Sequence, residues 1–179
     1  MNFCSHCGGP VRLEVPAGDN RPRHVCERCG AIHYHNPKVV VGCIPEWEDR
    51  ILLCRRAIEP KYGLWTLPAG FMENGETTAE GAARETLEEA GARVDILGLY
   101  SMISLPDINQ VYLVFRAKLL HLDFTHGEES LEARLFAEQE IPWEDMAFRT
   151  IHRTLMHYYA DRRNGSYALH VSDIFHKPR

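Results

Sequence analysis

The pattern G-x5-E-x7-R-E-x-x-E-E-x-G, running from Gly70 through Glu76 and Arg84 to Gly91, constrains this chain more than any other feature. It joins a glycine-bearing loop, Gly70-Phe71-Met72-Glu73-Asn74-Gly75-Glu76, to a segment with the marks of a helix. Thr77 is followed three residues later by Glu80, the spacing of a capping box, and Gly91 stands where a helix C-cap is expected. The spacing predicts a helix over 77–90. At 3.6 residues per turn, Glu85, Glu88 and Glu89 share an arc of about 100°. Ala79, Ala83, Leu87 and Ala90 take the opposite arc, the side expected to pack on a sheet.

A solvated acidic face is the ordinary reading of such a helix, but the spacing counts against it. Glu85 is i,i+3 and i,i+4 to the other two, each like-charge pair costs about 0.2–0.5 kcal/mol, and no Lys or Arg follows at i+4 within the helix. Hard oxygen ligands beside a glycine loop suit Mg²⁺ or Mn²⁺. Arg84, at the edge of the face, can fix a carboxylate by a bidentate pair. Gly81, one turn before Glu85, would let a metal-bound phosphate approach the backbone.

Around this segment the pattern is α/β. Strands are expected over 38–44 and 50–55, joined by a polar turn at 46–49, then over 94–103, 110–119 and 131–136. A loop spans 59–76, and a second helix is expected over 149–162, with Ile151, Leu155 and Tyr158 or Tyr159 facing the core. A length of 179 residues allows one ordinary domain, placed at 36–179, and a small unit at 1–35. The net charge of -5 argues against bulk affinity for nucleic acid. No apolar run reaches the ~18 residues of a membrane span. Met1-Asn2-Phe3-Cys4 carries no secretory signal, so the cytoplasm is the expected location.

The small unit holds Cys4-x-x-Cys7-Gly8 and Cys26-x-x-Cys29-Gly30. Four thiolates in paired C-x-x-C-G turns suit a closed tetrahedral Zn²⁺ site, with free or redox-active pairs as the alternative. His6, His24 and His33 lie near in sequence but are surplus to a four-cysteine site. Cys43 and Cys54 sit in apolar strands and read as buried residues.

The segment from Gly70 to Gly91 resembles the Nudix box. Every fixed polar and glycine position is met, with Thr86 and Ala92 at positions usually aliphatic. The resemblance implies an α/β/α sandwich around a mixed sheet, preceded by a small zinc ribbon. It implies cleavage of a nucleoside diphosphate linked to another moiety. Carried over, it makes Glu85, Glu88 and Glu89 ligands of catalytic Mg²⁺ or Mn²⁺, with the Gly70 carbonyl as a further ligand. Glu85 would also orient or deprotonate the attacking water, and Glu76 and Arg84 would join loop to helix. Glu129 is the candidate acid from outside the box, Glu128 the second.

A zinc ribbon before a Nudix domain is similar to NADH pyrophosphatases, but Ser101–Gln110 keeps little of their S-Q-P-W-P-F-P-Q-S signature beyond a proline and a glutamine. The chain also resembles plant-type FAD pyrophosphatases through Asn36–Gly42, Gly63–Glu76, Pro106…Gln110-Val-Tyr112, Glu129–Glu132 and Ile141-Pro142. That likeness implies FAD cleaved to AMP and FMN, with NADH or ADP-ribose as alternatives. Trp65, Phe71 and Tyr112 are candidates to stack a base or flavin, and Gln110 to read a ring nitrogen or amide. Two other classes compete: a nucleotide sensor that does not cut, and a ribbon that docks RNA or protein. The intact glutamates argue against the first and the acidic balance against the second, leaving a structural ribbon, at the interface of a homodimer.

Overall fold

A computed structural model describes residues 1–175, in two compact units, Met1–Asn36 and the chain from Pro37 onward. The first unit is a three-stranded antiparallel sheet of β1 (Val11–Glu14), β2 (Arg23–Cys26) and β3 (Ile32–His33) in that order. Its buried apolar residues are few, Cys4, Val25 and Cys26, whereas Phe3, Leu13 and Tyr34 are exposed. A unit with so little core needs a staple.

The second unit is built on one mixed sheet. Its strands are β4 (Lys38–Trp47), β5 (Arg50–Arg56), the short β6 (Trp65–Thr66) and β7 (Ala69–Phe71), β8 (Val94–Leu105), β9 (Gln110–Leu119), β10 (Ser130–Ala137) and β11 (His170–Asp173). Two helices accompany them, α1 (Thr78–Ala90) and α2 (Arg149–Asn164). The main strand order is β10-β5-β4-β9-β8-β11, with β6 on β5 and β7 on β4. β4–β9 and β8–β11 pair in parallel and the rest antiparallel, so the sheet is mixed, as the resemblance implied.

Apolar residues on β4 and β5 cover both faces of the sheet, which is why these strands read as continuous apolar runs. Val41 and Cys43 pack with Ala82 of α1, while Ile44, on the other face, joins Ile151, Leu155, Tyr158 and Tyr159 of α2. Leu52 and Cys54 likewise pack with Ala90, and Ile51 and Leu53 with the α2 cluster. The alternation places one helix on each face. Cys43 and Cys54 are fully buried core residues, and burial pushes the Cys43 thiol up to about 11.

The ends of α1 match expectation: Thr77 and Glu80 form a reciprocal capping box, and Gly91 closes the helix in the left-handed region. Its packing face does so only in part: Ala90 and Ala79 pack as expected. Leu87 is 46% exposed, and the helix seats on the sheet through Gly81, Ala82, Thr86 and Ala90, with Glu85 and Glu89 buried on that same side. Small residues decide this, because they let the helix sit close. Thr86 satisfies its buried hydroxyl by donating to the Ala82 carbonyl at 2.8 Å, and so behaves as an apolar position. β11 and the short β6 and β7 were not visible as periodic runs.

Candidate functional site

Arg84 is where the glycine loop meets α1. Its Nε and Nη2 donate to the two Glu76 oxygens at 2.9 Å each, a bidentate pair. Nη1 donates to Glu85 at 2.8 Å and Glu88 at 2.9 Å, and Nη2 also reaches the Phe71 carbonyl at 3.1 Å. The Arg84 guanidinium, helped by the Glu73 N–H, holds the Glu76 carboxyl down at about 2. Glu76 is a permanently charged clamp rather than a proton carrier.

Gly81 serves this clamp. A Cβ there would lie 2.5 Å from Glu76 Oε1 and 2.9 Å from Val41 Cγ2, so the glycine makes room for a carboxylate and not for a phosphate, as the sequence had suggested. Gly70 has the same relation to Glu85: a Cβ at Gly70 would fall on the Glu85 carboxylate. The loop backbone and the first glutamate are thereby in contact.

Burial separates the three helix glutamates. Glu88 is exposed, whereas Glu85 and Glu89 are buried. Burial raises the Glu85 carboxyl above its usual range and pushes Glu89 up to about 8, against a 3.3 Å hydrogen bond donated by Ala69 N–H. Glu129 adds negative charge to both. It is brought there by Gly127, whose N–H donates to the Glu89 carbonyl at 2.9 Å and whose Cβ position is already filled by the Glu88 carbonyl.

Glu85, Glu88, Glu89, Glu128 and Glu129, with Gly70, border a cavity of about 1090 Å³. These are hard oxygen donors, the chemistry a divalent cation of the Mg²⁺ type requires. Oxygens of Glu85 and Glu88 are held by Arg84 and one of Glu89 by the Ala69 N–H, and among the described residues these carboxylates are not gathered into one ligand group.

Apolar residues, Leu105, Ile108, Tyr112 and Ile174, border the same cavity. Gln110 and Phe71 border it too, Phe71 half-exposed with Lys38 Nζ 4.7 Å over its ring. Trp65 does not. It is buried edge-on to Phe136, ring centroids 4.8 Å apart, and belongs to the α2 core. Sequence reading also missed Arg56, Ile174 and residues 147–151, all of which border the cavity. The one available signal was a helix start at Arg149 preceded by Phe148, with no capping residue.

In the first unit the four cysteine Sγ atoms lie within 4.8 Å of one another, the only such ligand group among the described residues. Sγ of Cys4 and Cys29 are 3.7 Å apart, and of Cys7 and Cys26 3.5 Å. Zn–S bonds of ~2.3 Å at tetrahedral angles put sulfurs about 3.8 Å apart, so the donors fit zinc. N–H groups of Cys29 and Arg28 point at Cys26 Sγ at 3.4 Å and favour its thiolate, the form a metal needs. His33 Nε2 lies 3.3 Å from Cys4 Sγ, beside the ligand set.

Family comparison matches a NUDIX domain profile to residues 36–159, and a zinc-ribbon profile described as Nudix N-terminal to residues 2–35. The chain belongs to the Nudix family. Nudix domains use divalent metals, in keeping with the carboxylate wall. A crystal structure of a NUDIX hydrolase from Nitrosomonas europaea is 63% identical, with a TM-score of 0.96 over 98% of this chain and 99% of that one. An ADP-ribose pyrophosphatase of Methanocaldococcus jannaschii is 32% identical over 136 residues, 74% of this chain and 78% of that protein. A NAD-capped RNA hydrolase NudC from Chromobacterium violaceum is 30% identical over 158 residues, 87% of this chain. The chain spans 57% of that NudC's length. Since such relatives are named for an RNA substrate, the acidic balance alone does not exclude nucleic acid as a partner. No described helix is long and apolar enough to cross a membrane.

Proposed function

We propose that this Nudix protein is a metal-dependent pyrophosphohydrolase that cleaves a nucleoside diphosphate linked to a second, flat or sugar-like moiety, with FAD giving AMP and FMN as the leading substrate. The observation that carries this reading is one cavity bordered both by carboxylates and by apolar side chains. The first suits a diphosphate and the second an aromatic ring. Glu85, Glu88, Glu89 and Glu129, with the Gly70 carbonyl, would hold Mg²⁺ or Mn²⁺, whose role when bound is to neutralise the diphosphate and polarise its oxygens. Arg84 fixes the direction of Glu85 and Glu88. Glu85, whose burial raises its carboxyl above the usual range, would in its ionised form take a proton from an attacking water. Phe71 and Tyr112 are the stacking candidates, and Gln110 the polar reader.

ADP-ribose is a second reading, supported by the M. jannaschii relative. The gathered thiols support a zinc-bound ribbon and a reducing compartment such as the cytoplasm. Chromatographic product analysis with FAD, NADH, NAD⁺ and ADP-ribose, with Mg²⁺ or Mn²⁺, separates these readings. AMP and FMN should appear fastest, and Glu88→Gln, an exposed position, should lose several orders of magnitude in rate with its fold intact. Binding without cleavage of any of the four would instead make the protein a sensor.

A further inference from the structure

The first turn of α2 opens on the cavity that holds the glutamates, bordered by Phe148, Arg149, Thr150 and Ile151. No side chain caps it: the N-cap residue is Phe148, and the first turn carries no acid. The first bond within the helix runs from His152 N–H to the Phe148 carbonyl at 3.0 Å, so the N–H groups of Arg149, Thr150 and Ile151 lie ahead of it. Ser, Thr, Asp or Asn ordinarily fills such a cap, and a free helix N-terminus is otherwise suited to an anion.

Thr150 supplies an independent sign. It is 3% exposed, and its hydroxyl is one of two buried side-chain polar atoms with no hydrogen-bond partner among the described residues. As the second residue of α2, Thr150 has no helical carbonyl one turn back to receive its hydroxyl, unlike Thr86 within α1. A buried orphan hydroxyl calls for a partner that the described residues do not supply, a water or a ligand. Beside it stand Arg149, exposed, and Arg56, both bordering the cavity; Arg149 Nη1 donates to the Phe175 carbonyl at 3.2 Å and Arg56 Nε to the Pro60 carbonyl at 3.0 Å, and each guanidinium has further N–H groups.

This part of the lining therefore offers N–H, O–H and guanidinium donors, where the glutamates of the same cavity offer carboxylates. The two are tied through a short path. Ala147 N–H donates to the Trp65 carbonyl at 2.8 Å, and four residues on from Trp65 the Ala69 N–H holds Glu89. A diphosphate has two phosphates. Carboxylates can hold one only through a cation, while this donor wall can hold the oxygens of the other directly.

We propose that the uncapped first turn of α2, with the Thr150 hydroxyl, Arg149 and Arg56, is a seat for one phosphate of the substrate. The proposal rests on the pyrophosphohydrolase reading for its ligand. Its test is Thr150→Val, which keeps the shape and removes only the hydroxyl. With Mg²⁺ present, inorganic phosphate is titrated into the full chain while the backbone amide signals of residues 149–151 are followed by NMR and Tm is measured separately. The wild-type signals should move saturably, and the variant should need about three- to tenfold more phosphate. Its Tm should nonetheless rise by about 2–4 °C, because an unpartnered buried polar atom is gone.

A threonine kept for structure alone would show the reverse, a lower Tm with unchanged phosphate binding, and would overturn the assignment. Arg149→Glu, at an exposed position, provides a second variant that keeps the fold, and should weaken phosphate binding by at least about tenfold. Unmoved 149–151 signals in a protein that hydrolyses dinucleotides would refute the seat alone. Moved signals in a protein that cuts none of them would support the seat and refute the pyrophosphohydrolase reading.

Discussion

Two glycines, changed in the same way, should fail in opposite manners. Neither Gly70 nor Gly127 has a positive φ, so alanine suits the backbone of both and only the added Cβ matters. At Gly127 the obstacle is the Glu88 carbonyl, a backbone atom that cannot turn aside. The loop must withdraw and break the 2.9 Å bond from Gly127 N–H to the Glu89 carbonyl. Overpacking of about 1–3 kcal/mol and a lost hydrogen bond of about 1 kcal/mol give a loss of about 2–4 kcal/mol. That is a fall in Tm of about 4–16 °C.

At Gly70 the obstacle is the Glu85 carboxylate, the free end of a flexible side chain. Moving it off its rotamer costs about 0.5–1.5 kcal/mol, so Tm should fall by no more than about 6 °C. The carboxylate, however, leaves its 2.8 Å contact with Arg84 and its place over the loop. A displacement of about 1 Å in a reacting group costs about 100-fold in rate. Thermal melts and initial rates on the best dinucleotide measure both quantities. A Gly70→Ala protein within about threefold of wild-type kcat would refute the placement of Glu85 in the chemistry.

Three further outcomes are expected. Arg84→Gln should release the Glu76 carboxyl from about 2 toward the ordinary carboxylate range in a carbon-detected titration. Because the folded value is depressed, the clamp's contribution is present above the unfolded pKa and lost as pH falls through about 2, so the variant should unfold at a higher pH than wild type. Glu89 runs the other way. Its folded value of about 8 lies above the unfolded 4.5, so stability is full below pH 4.5 and falls as pH rises through 8. In Mg²⁺-free buffer, denaturant unfolding of wild type should lose roughly 3–5 kcal/mol across that window, and Glu89→Gln should be flatter by that amount. Parallel pH profiles would show that Glu89 is not the buried acid. Zinc removal should unfold the first unit while tryptophan emission, from Trp47, Trp65 and Trp143 in the second, stays unchanged. Loss of that emission would mean the units are not independent.

Much of the architecture was legible because it is written in short-range rules. The capping box at Thr77, the left-handed Gly91 and the β9 run each depend on a few neighbouring residues, and each was found where expected. What was missed depends on contacts distant in sequence. β11 has four residues of mixed exposure and exists because it can pair with Ser101–Ser104 of β8. Ile174 follows it into the cavity wall. Trp65 looked like a stacking residue because it precedes the box, yet its ring is taken by Phe136, 71 residues away.

The error over the packing face of α1 has a more general cause. A helical wheel assigns carboxylates to water and apolar residues to the core, which presumes that burying a carboxylate is only a cost. In α1 the same face does both jobs: Ala82, Thr86 and Ala90 seat it on the sheet, and Glu85 and Glu89 are drawn into the protein with them. A carboxylate left in water would bind a cation weakly and hold its own proton state fixed. Drawn in beside Glu129 and met by one N–H donor from Ala69, Glu89 is raised to about 8 and kept short of positive charge. The small residues on this face are therefore what let the acids be buried. Replacing Ala82 by a larger side chain would push the helix off the sheet, let water reach Glu85 and Glu89, and lower both toward the ordinary carboxylate range.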